Sequence, residues 1–182
     1  MTSNAGTETV FPLTDLFIRQ VTRADLPALE WDGEYWKFRE VFADLFNRSL
    51  GGNVLLWIVV SPGGDVIGQA FVTLRSGDRD AADGKNRAYV FSFRVKEKWR
   101  NRGVGSKLMK FIECDLRQRG FRYVTLNVAK DNPGALRLYR SMGYEIIDSC
   151  PGLWSYRDPD GIIHHVTEPS WRMLKSLSGK ES

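Results

Sequence analysis

Apolar residues recur at two different periods along this chain, and the alternation between them lays out its elements. Residues 16–21 (LFIRQV) alternate as a strand does, and Thr22 with Asp25 three positions on reads as a helix cap and its partner. Leu26, Leu29, Phe38, Val41, Phe42, Leu45 and Phe46 follow at three- and four-residue spacing, interrupted at residues 31–33, so two helices joined at Gly33 are expected. Gly51, Gly52 and Asn53 break that pattern. Residues 54–60 (VLLWIVV) form an unbroken apolar run, a Ser-Pro-Gly-Gly-Asp turn covers 61–65, and 66–74 (VIGQAFVTL) return, which predicts an antiparallel hairpin. A polar, solvated loop is expected over 76–86, and a strand over 89–95.

The helix period takes over again at residues 104–119. On a wheel of about 100° per residue Val104, Leu108, Met109, Phe111, Ile112 and Leu116 share one arc, with Lys107, Lys110, Glu113 and Arg117 opposite; Cys114 lies off the arc. Gly120 stops the helix and 121–128 (FRYVTLNV) is strand-like, so residues 89–128 read as strand, helix, strand with a right-handed crossover between parallel strands. Asn132 and Pro133 open a short helix that ends at Gly143. A strand at 144–147, a hairpin from 153–157 and 162–166, and a last strand at 171–174 complete the pattern. An antiparallel hairpin followed by a parallel unit predicts an α/β fold with a mixed sheet. Residues 1–14 read as a loose N-terminal tail and 15–176 as one domain.

Composition agrees with a globular chain: 182 residues, 42% hydrophobic and 12% aromatic. No stretch nears the roughly 20 apolar residues of a membrane span, the N-terminus carries no export signal, and no membrane partner is expected. Two distant cysteines, Cys114 and Cys150, suit a reducing cytoplasm. The two histidines, His164 and His165, are adjacent and would face opposite sides of a strand, so no metal site is expected. A net charge of +4 permits nucleic-acid contact, but the basic residues are dispersed outside 96–102, and that cluster reads as a local anion site.

The cluster sits at a strand-to-helix turn. In Arg100, Asn101, Arg102, Gly103, Val104, Gly105 and Ser106 the two glycines clear side chains from the backbone, successive N–H groups converge, and the helix dipole favours an anion, with Arg100, Arg102 and Lys107 as added cations. A pyrophosphate fits such a turn. The third glycine of a dinucleotide fingerprint and the Gly-Lys-Ser/Thr ending of a phosphate-binding loop are both missing. Glu30, Trp31, Asp32, Glu34, Tyr35 and Trp36 gather at the earlier helix junction, either as a solvated helix end or as the lining of a pocket for a cationic substrate.

Two motifs together carry a resemblance. Phe93 and Val95 before Arg100 to Gly105, and then Asn132, Ala135, Leu138, Tyr139, Gly143 and Tyr144, resemble in order and spacing the two signature patterns of the GNAT superfamily of acetyl-CoA-dependent N-acyltransferases. The resemblance, including Ile18, Arg19 and Ala24 to Leu26, covers most of residues 16–148. It implies a GNAT fold, with antiparallel N-terminal strands and a splayed parallel central pair flanked by helices. It further implies acetyl-CoA as co-substrate and a small-molecule or peptide amine as acceptor; dimers are common in that family. The loop from Arg100 to Ser106 would take the pyrophosphate, Phe93 and Val95 the pantetheine arm, Asn132 the same arm, and Tyr139 would be general acid for the departing thiolate. Asn132 also fits a helix cap alone, and Tyr139 a core aromatic.

The chain departs from the family pattern at the base, because residues 89–95 hold no carboxylate. Glu34 is the candidate base, with Glu30, Glu168 or a water chain as alternatives. The acids near residues 30–34 favour a cationic acceptor by charge complementarity. The missing strand carboxylate also leaves room for a non-catalytic domain that holds an acyl-CoA as sensor or scaffold.

Overall fold

The computed structural model describes residues 12–178. Seven strands form one sheet in the order β1-β2-β3-β4-β5-β9-β6: β1 (Phe17–Gln20), β2 (Val54–Val60), β3 (Val66–Thr73), β4 (Arg87–Val95), β5 (Tyr123–Ala129), β6 (Glu145–Cys150) and β9 (Ser170–Ser176). Only β4 and β5 pair in parallel; each other neighbouring pair is antiparallel. The remaining strands, β7 (Leu153–Arg157) and β8 (Ile163–Thr167), make a separate two-stranded hairpin. The mixed α/β architecture expected from the pattern is present, with the last strand inserted between β5 and β6.

Every residue of β2 and β3 is buried because both faces of the sheet are covered, which is why these strands read as continuous apolar runs. On one face α2 (Val104–Gln118) and α3 (Pro133–Ser141) pack through Leu108, Met109, Ile112, Leu116 and Tyr139. On the other, α1 (Arg39–Ser49) packs through Phe42, Leu45 and Phe46 together with Leu29.

The first of the two expected early helices is a 3-10 helix, Arg23–Glu30, containing Pro27. Proline has no N–H to donate and clashes with a preceding carbonyl in an α-helix, so this apolar spacing closes as the tighter turn. The break at the junction is as the sequence predicts: Trp31, Asp32 and Gly33 all take positive φ (49°, 58° and 97°). Of the stretch expected as a tail, residues 1–11 lie outside the described residues, and Leu13–Asp15 form a single 3-10 turn. The loop over 76–86 is less solvated than its composition suggests. Ala81 and Ala82 are buried, Thr125 donates to the Ala81 carbonyl at 2.6 Å, and Arg172 pairs with Asp78 at 2.7 Å, so the loop is pinned onto the sheet.

Glu113 corrects a second expectation. Placed on the polar side of its helix by the wheel, it is only 5% exposed, accepting from Tyr144 Oη at 2.9 Å and from Lys175 Nζ at 2.6 Å. Partners from the link between α3 and β6 and from β9 reach it, and neither is visible in the helix's own periodicity. This carboxylate ties α2 to the strands beyond it. Glu113→Ala leaves a half-buried ammonium and a buried phenol without their acceptor, and is expected to lower stability by about 3 kcal/mol. Urea unfolding checks this: an unchanged midpoint would mean that the network contributes nothing to the fold.

Candidate active site

The sheet opens at its centre. β4 and β5 pair from Arg87–Tyr123 to Val90–Leu126 and then part, β4 continuing along β3 and β5 along β9. Just past the parting point Ser92 takes φ 49°, and the β3–β4 register shifts so that Ser92 and Phe93 together face Ala70. That is a β-bulge, which bends the strand and re-aims its backbone groups. The result is a cleft between two diverging strands, with one irregular edge turned toward it.

The expected phosphate loop lies at the end of β4. After a 3-10 turn at Glu97–Trp99, Asn101 (φ 57°) and Gly103 (φ 82°) bring the chain round so that α2 begins at Val104 with its first amides facing outward from the helix end. Gly103 needs its positive φ for this, and a Cβ on Gly105 would stand 3.1 Å from the Phe93 ring, so both glycines also serve packing. Two of the expected cations are turned inward. Arg100 donates to the Val95 carbonyl at 2.9 Å, and Lys107 donates to the Leu13 and Leu16 carbonyls. With these two cations committed to carbonyls, the backbone amides and the helix dipole contribute to the loop's provision for an anion.

Tyr139 sits on α3 across from that loop. It is 7% exposed and packs edge-on against Phe93 (5.9 Å) and Tyr144 (5.8 Å). Burial, and the nearby Tyr89 phenol, push its pKa up, so it keeps its proton throughout the neutral range. Tyr89 itself is pushed up to about 12 by burial. Asn132 caps α3, its Oδ1 accepting from the Ala135 amide at 3.0 Å. Among the described residues no group of three or more His, Cys, Asp or Glu is placed to hold a metal ion, and no helix is long and apolar enough to cross a membrane.

The opposite face of β4 is lined by the segment from Trp31 to Phe42 and by the β7–β8 hairpin, whose Trp154 stacks on Phe38 at 6.2 Å and whose Tyr156 packs tilted against it at 4.6 Å. Two acids of the junction are matched by cations: Glu30 takes two hydrogen bonds from Arg39 (2.7 and 2.9 Å), and Asp32 lies 3.9 Å from Lys96. Glu34 is exposed and interacts with the Tyr35 phenol, whose pKa is raised by burial and by that carboxylate. Glu168 is exposed between β8 and β9.

Sequence reasoning missed two residues of this face. Arg94 lies 3.8 Å over the Tyr35 ring, and burial lowers its pKa. Gln69, its register partner on β3, is wholly buried. The signal was present: Gln69 is a polar residue among the apolar neighbours of β3, and Arg94 is a charged residue flanked by Phe93 and Val95 in β4.

Comparison with known proteins places these features in a wider set. Residues 18–144 match the profile of the acetyltransferase (GNAT) family. The chain is 35% identical over 85 residues to the L-amino acid N-acetyltransferase AaaT of Escherichia coli K12, a match spanning 46% of this chain and 49% of that protein, about half the length of the relative. Arabidopsis thaliana NAA60, solved in complex with acetyl-CoA, superposes with a TM-score of 0.68 at 20% identity, over 90% of this chain and 99% of that one. A GCN5-related N-acetyltransferase from Kribbella flavida superposes with a TM-score of 0.62 at 25% identity, over 90% and 98% of the two chains.

Proposed function

The chain belongs to the GNAT acetyltransferase family, and from that premise we propose that it transfers the acetyl group of acetyl-CoA to a primary amine by direct attack within a ternary complex. The observation that carries this reading is the parting of β4 and β5 beyond Val90 and Leu126, with the amide-bearing start of α2 at one end and the buried Tyr139 phenol beside it. Such a cleft suits a long thioester: pyrophosphate on the amides of residues 103–106, pantetheine along the free edge of β4 at Phe93 and Val95, thioester near the bulge. Arg100 and Lys107 act mainly by holding the loop and its flanking segment in place.

In the reaction the amine lone pair attacks the thioester carbonyl carbon, the C–S bond breaks, and the amine's proton ends on the thiol. The acceptor must arrive as a neutral amine, and Glu34, exposed at the mouth of the opposite face, is the carboxylate assigned to take its proton, directly or through water. A backbone N–H near Val95 serves the oxyanion. Tyr139 donates a hydrogen bond to the leaving sulfur. With its pKa raised far above that of a thiol, about 8.5, complete transfer from the phenol is uphill, so it stabilises the thiolate as it departs and the proton follows from the amine.

Release of CoA thiol from acetyl-CoA in the presence of amines, followed by thiol trapping, tests the proposal. Amine-dependent release is expected. Saturable acetyl-CoA binding without release for any amine would instead identify a domain that holds the thioester without turnover.

A further inference from the structure

Gln69 and Arg94 face each other across β3 and β4, immediately beyond the bulge, and their side chains therefore lie on the same face of the sheet. That face is the one covered by α1: Arg94 stands over Tyr35 (3.8 Å), Phe38 (5.7 Å) and Phe42 (6.0 Å). Gln69 is 0% exposed, yet neither its amide oxygen nor its amide nitrogen has a hydrogen-bond partner among the described residues, and the same holds for the buried Nη1 of Arg94. Enclosed polar atoms are normally satisfied, and here one buried spot holds a guanidinium edge and a primary amide together. Tyr35 lies against the guanidinium's face and also hydrogen-bonds it, which leaves the buried Nη1 corner as the unpartnered donor.

Resting on the acetyltransferase reading above, we propose that Arg94 and Gln69 form the acceptor subsite for a carboxylate, so that the substrate is a small amine bearing its own carboxylate, of the amino-acid class. A planar carboxylate matches a guanidinium edge through two charge-assisted hydrogen bonds, and the Gln69 amide supplies a further N–H donor. Among the described residues, Tyr35 is the polar member of the rings over which Arg94 stands, and Glu34, exposed at the mouth and assigned above to the amine's proton, is a carboxylate that acts on Arg94. Carboxylate inside and base outside fit the two ends of one zwitterion. Of the acids that suggested a cationic acceptor, Glu30 is already held by Arg39 and Asp32 lies exposed 3.9 Å from Lys96, which leaves Glu34 for the amine.

The test compares L-amino acids with their carboxamides and with spermidine as acceptors, reading CoA release, and measures calorimetric binding of the N-acetylated acids and amides to the CoA-loaded protein. Acids are expected to exceed their amides in kcat/KM and in affinity by about thirtyfold. Arg94→Gln should erase that preference while leaving the KM for acetyl-CoA unchanged. Gln69→Leu should weaken acid binding about fivefold without lowering the melting temperature, since it removes unpartnered polar atoms from an apolar surround; this variant separates recognition from folding should Arg94→Gln be unstable. Equal handling of acid and amide, preference for spermidine, or a panel in which no acid binds would overturn the proposal. Acetyl-CoA binding with release driven by spermidine would overturn it while leaving the acetyltransferase reading intact.

Discussion

Tyr139→Phe is expected to lower kcat by about 10²-fold or more while leaving acetyl-CoA affinity within about twofold. The phenyl ring preserves the edge-on packing against Phe93 and Tyr144, so the substitution removes a hydroxyl and little else. Its effect falls on the step in which negative charge gathers on sulfur, inside a cleft where burial already strengthens each remaining dipole. The raised pKa adds a second signature. In the unmodified protein turnover should show no alkaline loss attributable to this group up to about pH 10, the ordinary phenol value, because the buried hydroxyl is still protonated there. Steady-state kinetics of both proteins with one amine decide the matter, and an unchanged kcat would remove Tyr139 from the mechanism and leave it as a core aromatic.

Gly103→Asp is expected to weaken acetyl-CoA binding by about 10²-fold while the fold survives. Gly103 is the N-cap of α2 at φ 82°, and aspartate is among the residues that tolerate that conformation and favour that position. Its Cβ would meet only the end of the Leu13 side chain, 3.0 Å away, which can shift. The new carboxylate would occupy the helix end that the pyrophosphate needs and repel it. Circular dichroism with calorimetric titration separates the two effects: a folded variant with unaltered affinity would show that the phosphates bind elsewhere.

Much of this was legible in the chain because the local and global preferences agree. The apolar run 54–60, the turn at 61–65 and the helix opening at Val104 appear where the pattern puts them. What escaped depended on residues distant in sequence. Glu113 looks solvated on its helix because Lys175 lies 62 residues on and Tyr144 lies 31, and only the insertion of β9 between β5 and β6 brings that lysine near. The 3-10 form of Arg23–Glu30 was signalled by Pro27, which apolar spacing alone does not weigh.

The candidate site divides in the same way. The loop from Arg100 to Ser106 and the Tyr139 helix are contiguous motifs, so the resemblance to the family's two patterns points to them. Arg94 and Gln69 meet only through a register set by a one-residue bulge at Ser92, and a slip of one residue would have turned either side chain to the other face. The fates of Arg100 and Lys107 were equally hidden, since the carbonyls that receive them, at Val95, Leu13 and Leu16, belong to the backbone and leave no mark in residue type.

Calorimetric titration of the purified protein with acetyl-CoA, beside ATP and NAD in the same buffer, tests the central claim most directly. Saturable one-site binding of acetyl-CoA, with neither ATP nor NAD bound comparably, is the predicted result. Absence of acetyl-CoA binding, or equal binding of all three, would contradict the assignment of the cleft between β4 and β5 to a thioester cofactor.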